Sequence, residues 1–175
     1  MPIIPIKDKE WFIAGVMEYQ DRMYRIAFDM LRNEEDAKDV LQDTLLRAYS
    51  SLESLKDPEK FRPWIMQILV NCARDACRRR SRTASIQLDD YADCILWREN
   101  DDEPALDSIW LQEGIRQLDE KSRMILLLYY FEEIEIRDIS RIMGMTVSAV
   151  KVRLSRTRQK LKKLLSEEVH ENGQA

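Results

Sequence analysis

Residues 146–163, TVSAVKVRLSRTRQKLKK, carry seven basic side chains (Lys151, Arg153, Arg156, Arg158, Lys160, Lys162 and Lys163) and no acidic one, in a chain of 175 residues whose net charge is −4. Such groups have a definite chemistry available to them. Arginine and lysine donate to guanine O6 and N7, serine hydroxyls bond either way, and a valine can touch a thymine methyl. At about 100° per residue, Val147, Val150, Leu154, Leu161 and Leu165 cluster on the side of a helix expected to pack. Ser148, Val152, Ser155, Arg156, Gln159 and Lys163 then point away, with Lys151 and Arg153 on the flanks. The N-terminal part of a recognition helix is the part that enters a major groove, which makes Ser148, Lys151, Val152, Ser155 and Arg156 the base-edge candidates. Arg153, Arg158, Lys160, Lys162 and Lys163 are expected on phosphates or in solvent. A solvated basic helix, or one docking on an acidic protein surface, has the same composition, so charge alone leaves those readings open.

The preceding elements favour the nucleic-acid reading. EIRDISRIM reads as a short helix ending at Gly144, one of only four glycines, and Thr146 then caps the basic helix. A short helix, a glycine turn and a longer basic helix make a helix-turn-helix. Upstream, a helix is expected from Leu106 to about Gln117, followed by Asp119 capping EKSRMILLLYYF. The first half of the chain reads as three further helices. Residues 9–32 place Phe12, Val16, Tyr19, Met23, Ile26, Ala27 and Met30 on one face. Asn33 caps the next helix, whose stripe is Ala37, Val40, Leu41, Thr44, Leu45, Ala48 and Leu52. Asp57-Pro58 starts a third helix that runs to about Arg80, with Phe61, Trp64, Ile65, Ile68, Leu69, Cys72 and Ala76 toward the core.

Two other surfaces carry candidate chemistry. On the second helix, Leu46 projects almost opposite the apolar stripe, amid Asp39, Gln42 and Asp43. An apolar anchor ringed by charge suits a partner protein, although one exposed leucine is also ordinary. The third helix has an outward row of Gln67, Asn71, Arg74 and Arg78, which either holds nucleic acid or is a plain solvated face. Trp64 could stack on a base, but its place at the edge of the apolar stripe favours core packing.

Charge is distributed in blocks. Residues 1–80 hold 14 basic and 14 acidic groups, residues 81–120 hold 3 against 11, and residues 121–165 hold 11 against 4. A neutral block, an acidic connector and a basic block imply domains at 9–80 and 106–167, tethered by 81–105, with a short docked piece around Ile95-Leu96-Trp97. The scarcity of glycine and proline excludes a strand-and-turn architecture, and an all-α, two-domain fold is expected. The sole histidine, His170, lies in the tail, and no glycine-rich phosphate loop occurs, so no catalytic role, cofactor, metal or small-molecule substrate is expected. Three cysteines without a CxxC pair, no apolar run of membrane-spanning length and no signal-like start point to free thiols in the cytosol.

DAKDVLQDTLLRAYSSL, FRPWIMQILVNCARDACRRR and LDEKSRMILLLYYFEEIEIRDISRIMGMTVSAVKVRLSRTRQKL, in that order, resemble the bacterial extracytoplasmic-function (group 4) RNA polymerase sigma factors over about residues 9–165. The resemblance implies sigma region 2 in the first domain and region 4 in the second. It implies that Asp39, Gln42, Asp43 and Leu46 dock on the clamp coiled coil of the polymerase largest subunit, with the β flap as a further contact. Asn71, Arg74 and Arg78 become contacts to the promoter −10 element, and the recognition helix, through Ser148, Lys151, Val152, Arg153, Ser155 and Arg156, reads the −35 element. The acidic linker would thread toward the active-site and RNA-exit channel. An anti-sigma partner is expected, holding the factor at the membrane, with the nucleoid as its place in the holoenzyme. Val152 and Ser155 depart from the family's usual residues, and both bear on the −35 preference. A self-sufficient helix-turn-helix regulator, and an adaptor that never reads DNA, are the competing functions.

Overall fold

In a computed structural model, Asn33 breaks the first long helix from the second: its side chain accepts from the backbone N–H of Asp36 at 2.9 Å. The structure describes residues 9–83 and 113–172, all of whose regular structure is helical. The chain divides into two units, Met1–Cys94 and Ile95–Ala175. Most of the expected tether at 81–105, with Cys94 and the Ile95-Leu96-Trp97 piece, lies outside the described residues, as do residues 106–112 of the helix expected from Leu106.

The first unit is a three-helix bundle of α1 (Lys9–Leu31), α2 (Glu34–Ser50) and α3 (Phe61–Thr83). Two 3-10 turns, Leu52–Ser54 and Pro58–Lys60, join α2 to α3. Asp57 caps the second turn by accepting from Glu59 N–H at 3.0 Å, so the α-helix starts three residues later than Asp57-Pro58 suggests. Each helix buries the stripe its spacing requires, through Met23, Ile26 and Ala27 on α1 and Ala37, Val40 and Thr44 on α2. On α3 the buried arc is wider than one stripe, because α3 packs on both α1 and α2: Met66, Val70 and Ala73 are sealed as completely as Ile65 and Leu69. The α1–α2 corner is closed from α3. Arg80 donates to the Leu31 carbonyl at 3.1 Å and stands 3.6 Å from Asp36, so the last turn of one helix holds the junction of the other two.

Phe61 is the hub of this unit. Its ring centroid lies 5.2 Å from that of Trp11, 5.9 Å from Trp64, 6.1 Å from Tyr19 and 6.2 Å from Phe12. Trp64, expected in the core, is only half-buried at the rim of this cluster. The ring seats flat on α1 only because position 15 is glycine: a Cβ there would come within 2.8 Å of a Phe61 ring carbon.

In the second unit, helical residues 113–116 lead through a turn into α4 (Glu120–Leu126), capped by Asp119, which accepts from Ser122 N–H at 3.1 Å. After its exposed first two residues, α4 is enclosed, with every residue from Ser122 to Leu128 buried, which is why the run MILLL shows no amphipathic period. The helix does not run unbroken through LLLYYF as expected. Residues Leu127–Phe131 form a π-turn, closed by bonds from Glu132 N–H to the Leu127 carbonyl (3.1 Å) and from Ile134 N–H to the Leu128 carbonyl (2.9 Å). α5 (Ile136–Met143) and α6 (Val147–Asn172) follow. Gly144, with φ +64°, ends α5 in a Schellman arrangement: Met145 N–H reaches the Ser140 carbonyl at 2.9 Å and Gly144 N–H the Arg141 carbonyl at 3.2 Å. Thr146 then caps α6 by accepting from Ala149 N–H at 3.1 Å.

The encased Phe61 ring has no room to retreat, so Gly15→Val is expected to overpack the α1–α3 contact and cost about 1–3 kcal/mol. A lowered urea midpoint for unfolding of the purified protein, with the slope unchanged, is the measurement; an unaltered midpoint would show that the contact yields.

Candidate nucleic-acid interface

α6 divides as its sequence demands, with Val150, Leu154, Thr157 and Leu161 buried at spacings of four, three and four. Thr157 was not among the residues expected to pack. Its hydroxyl donates to the Arg153 carbonyl at 2.8 Å, which makes its burial inexpensive. Val147, expected on the packed side, is exposed because the first turn of α6 projects beyond the elements that cover the rest. Ser148, Val152, Ser155 and Arg156 are exposed away from the buried stripe, Val152 to 50%, and Lys151 is exposed on its flank.

The seven cations do not share one environment. Arg153 is half-buried and donates through Nη1 to Asp119 Oδ1 at 3.0 Å and to Ser122 Oγ at 3.2 Å. Lys160 donates to the Gln117 carbonyl at 3.0 Å. Arg158 stacks on the two tyrosines of the π-turn, 5.5 Å from the Tyr129 centroid and 5.4 Å from that of Tyr130. Arg153, Arg158 and Lys160, expected on phosphates or in solvent, and Arg153 also in the −35 set, each make a contact within their own unit. Lys151, Arg156, Lys162 and Lys163 are exposed on α6. The Asp119 carboxyl is held below the ordinary carboxylate range, chiefly by the Ser122 hydroxyl, then by Ser122 N–H and the Arg153 charge, with partial burial opposing them. It is therefore ionised at neutral pH, and protonation would weaken both the cap and the ion pair.

On the first unit, Asp39, Gln42 and Leu46 are exposed on one face of α2 and Asp43 is half-buried beside them. Leu46 is 68% exposed, and Tyr49, one turn further on, is 53% exposed. The sequence reading missed Tyr49, although 39, 42, 46 and 49 continue the same three-and-four spacing. A groove of about 430 Å³ between α2 and α3 is lined by Leu46, Arg47, Ser50, Ser51, Ile68 and Asn71. It brings Leu46 and Asn71, which the sequence assigns to different partners, to one surface. Asn71 and Arg78 are exposed and Arg74 is half-buried. Asp75 draws in Arg47 at 3.3 Å and Arg78 at 3.7 Å, tempering the positive charge of this row.

A second groove, of about 470 Å³, lies within the second unit. Its walls are Ile115, Leu126, Tyr130, Phe131 and Leu161, and Arg158 and Lys162 bring positive charge to it. Tyr130 and Phe131 stay exposed to 49% and 38%, so the π-turn presents aromatic surface there.

Comparison with known proteins identifies the two units. The Sigma-70 region 2 family matches residues 16–83, and the Sigma-70, region 4 family matches residues 108–161. RNA polymerase sigma factor SigV of Bacillus subtilis is 28% identical over 160 residues, which cover 91% of this chain and 94% of the relative. RNA polymerase sigma factor CarQ of Myxococcus xanthus is 32% identical over 139 residues, 79% of each chain. Among solved structures, CnrH in complex with the cytosolic domain of CnrY is similar, with a TM-score of 0.61 at 25% identity over 91% of this chain and 90% of that one. The sigma factor RpoE in complex with the anti-sigma factor NepR from Bartonella quintana shares the fold, with a TM-score of 0.71 at 21% identity over 89% of this chain and 96% of that one. With both sigma regions matched in order, on units whose outward faces are basic in one and acidic-apolar in the other, the chain belongs to the extracytoplasmic-function RNA polymerase sigma factors, the promoter-specificity subunits of bacterial RNA polymerase.

Proposed function

We propose that this sigma factor reads the −35 element through Ser148, Lys151, Val152, Ser155 and Arg156 of α6. The single observation that carries the reading is the division of α6, which buries Val150, Leu154, Thr157 and Leu161 and leaves those five side chains exposed directly after the Gly144 turn. Asn71, Arg74 and Arg78 of α3 contact the −10 element, and the half-buried Trp64 at the start of the same helix is available for stacking. Asp39, Gln42, Asp43 and Leu46 dock on the clamp coiled coil of the polymerase largest subunit, with Tyr49 extending that face. The apolar groove of the second unit, with Arg158 and Lys162 beside it, suits the β flap.

In this reading residues 9–80 act as region 2 and 106–167 as region 4, while the acidic stretch 81–105 threads toward the active-site and RNA-exit channel. The factor adds no catalytic group of its own; its chemistry is recognition. It works in the cytoplasm and on the nucleoid as part of the holoenzyme. Its partner in the inactive state is an anti-sigma factor, a reading supported by the similarity to RpoE, solved with the anti-sigma factor NepR, and to CnrH, solved with the cytosolic domain of CnrY. The deciding experiment is run-off transcription with purified core enzyme: discrete start sites behind shared −10 and −35 sequences support the reading, and failure on every promoter, its own included, overturns it.

Leu46→Asp is expected to weaken binding to core polymerase about 30-fold or more, as loss of a central apolar anchor does, with the helical content unchanged. Fluorescence anisotropy with labelled core enzyme tests this, and unaltered affinity would remove the α2 face from the interface. Lys151→Ala and Arg156→Ala are each expected to lower the preference for the native −35 element by about 5- to 150-fold, equivalent to about 1–3 kcal/mol per base contact. Competition between native and base-substituted promoter fragments for the holoenzyme is the readout.

A further inference from the structure

The buried stripe of α6 decides which face of the helix turns inward, and directional polar contacts on its flanks fix the rotation more finely than burial, which is non-directional. Two polar contacts stand on opposite flanks of that stripe. At 3.6 residues per turn, Arg153 and Arg158 each lie about 70° from the stripe's centre, one on either side. Arg153 is tied to Asp119 and Ser122, and Lys160, seven residues on and on nearly the same line, is tied to the Gln117 carbonyl. On the other flank, Arg158 is held over the Tyr129 and Tyr130 rings. Rolling α6 in either direction breaks one of these sets.

We propose that Arg153 and Arg158 are positioning residues that lock the roll of α6, and so determine which side chains face the −35 duplex, rather than contacts to DNA phosphate. The inference rests on the reading of α6 as the −35 helix. Asp119 is a working part of it. Its carboxylate caps α4 and receives Arg153, so it couples the start of one helix to the rotation of another. Little of this is a matter of stability, since Asp119 is 60% exposed and Arg153 35% exposed, and exposed ion pairs contribute little to folding. Its effect is on direction. A roll of a fraction of one residue's angle, too small to unseat the buried stripe, would already change how Lys151 and Arg156 meet the groove.

The sign of the effect of Asp119→Ser separates the two roles. Serine keeps an oxygen to cap Ser122 N–H and removes the charge that holds Arg153. If Arg153 were a phosphate contact restrained by Asp119, its release would raise affinity for every DNA sequence. Under the positioning role, the variant lowers the preference for the native over a scrambled −35 element by about 3- to 10-fold and leaves non-specific binding alone. The experiment uses holoenzyme on promoter fragments across a salt series, with wild type, Asp119→Ser, Arg153→Ala, their double variant, Arg158→Ala and Arg156→Ala. Arg153→Ala and Asp119→Ser are expected to give equal losses that do not add in the double variant, with the salt slope of wild type retained in both. Arg158→Ala is expected to lower preference likewise at unchanged slope. A slope reduced by about 0.9 in Arg153→Ala or Arg158→Ala, the signature of one lost phosphate contact, overturns the proposal, as does a general gain of affinity in Asp119→Ser. Arg153→Lys, which keeps the charge but reaches fewer acceptors, is expected to restore part of the preference; a thermal melt confirms each variant is folded at the assay temperature. If Arg156→Ala leaves preference intact, the −35 reading of α6 fails instead.

Discussion

Burial of Val150, Leu154, Thr157 and Leu161 is the constraint on which the nucleic-acid side of the molecule depends. A helix carrying side chains at regular angles can bury one arc only, and the arc it buries decides the one it exposes. Once those four residues are sealed against the second unit, Ser148, Lys151, Val152, Ser155 and Arg156 have no alternative but to face outward. The same constraint explains the enclosed α4. The buried run from Ser122 to Leu128, apolar from Met124 onward, gives α5 and α6 a surface to close over. Recognition here follows from packing in that direct sense.

Phe61 does the corresponding work in the first unit, from the opposite geometry. There the determinant is one ring that Trp11, Phe12, Tyr19 and Trp64 surround, seated on a position without a side chain at Gly15. Fixing the start of α3 this way fixes the register of everything along it, including Ile68 and Asn71 in the groove against α2. The far end is held by Arg80 on the Leu31 carbonyl. A helix anchored at both ends presents its polar row as a rigid edge, which suits contacts that must meet a partner in a defined order. Leu46 and Asn71 line one groove with Ile68, so in the proposed reading the polymerase and DNA contacts of this unit are continuous.

The parts of the fold that were legible in the sequence are those fixed by residues close along the chain. Asn33, Asp57, Asp119 and Thr146 each accept the backbone N–H two or three residues on, and Gly144 adopts the left-handed conformation that closes α5, because capping needs only local geometry. Periodicity likewise places Leu46 and the outward residues of α6 on the surface where they are found. What escaped depends on partners distant in sequence. The lysine and arginines at 153, 158 and 160 look alike on a helical projection, and only the arrival of Asp119, Gln117 and the two tyrosines separates them from Lys151 and Arg156. The π-turn after Leu126 escaped for a similar reason. Nothing in LLLYYF forbids a continued α-helix, and the turn coincides with the tyrosine pair on which Arg158 rests.

Internal use of cations also bears on why an acidic protein carries a basic helix. Each phosphate neutralised steepens the salt dependence of DNA binding by about 0.9, and that term is blind to sequence. Seven outward cations would make α6 a general polyanion binder, competing with its own discrimination. Under the proposed −35 reading, Arg153, Arg158 and Lys160 keep their charge close to the duplex while their donors are occupied within the protein. The remaining outward charge is smaller, on Lys151 and Arg156 in the first turns of α6 and on Lys162 and Lys163 further along. A net charge of −4 over the whole chain adds a long-range repulsion that further lowers binding to arbitrary DNA. Weak affinity for DNA at large and a directed helix face are therefore two consequences of one arrangement: cations that fix orientation are cations withdrawn from non-specific attraction.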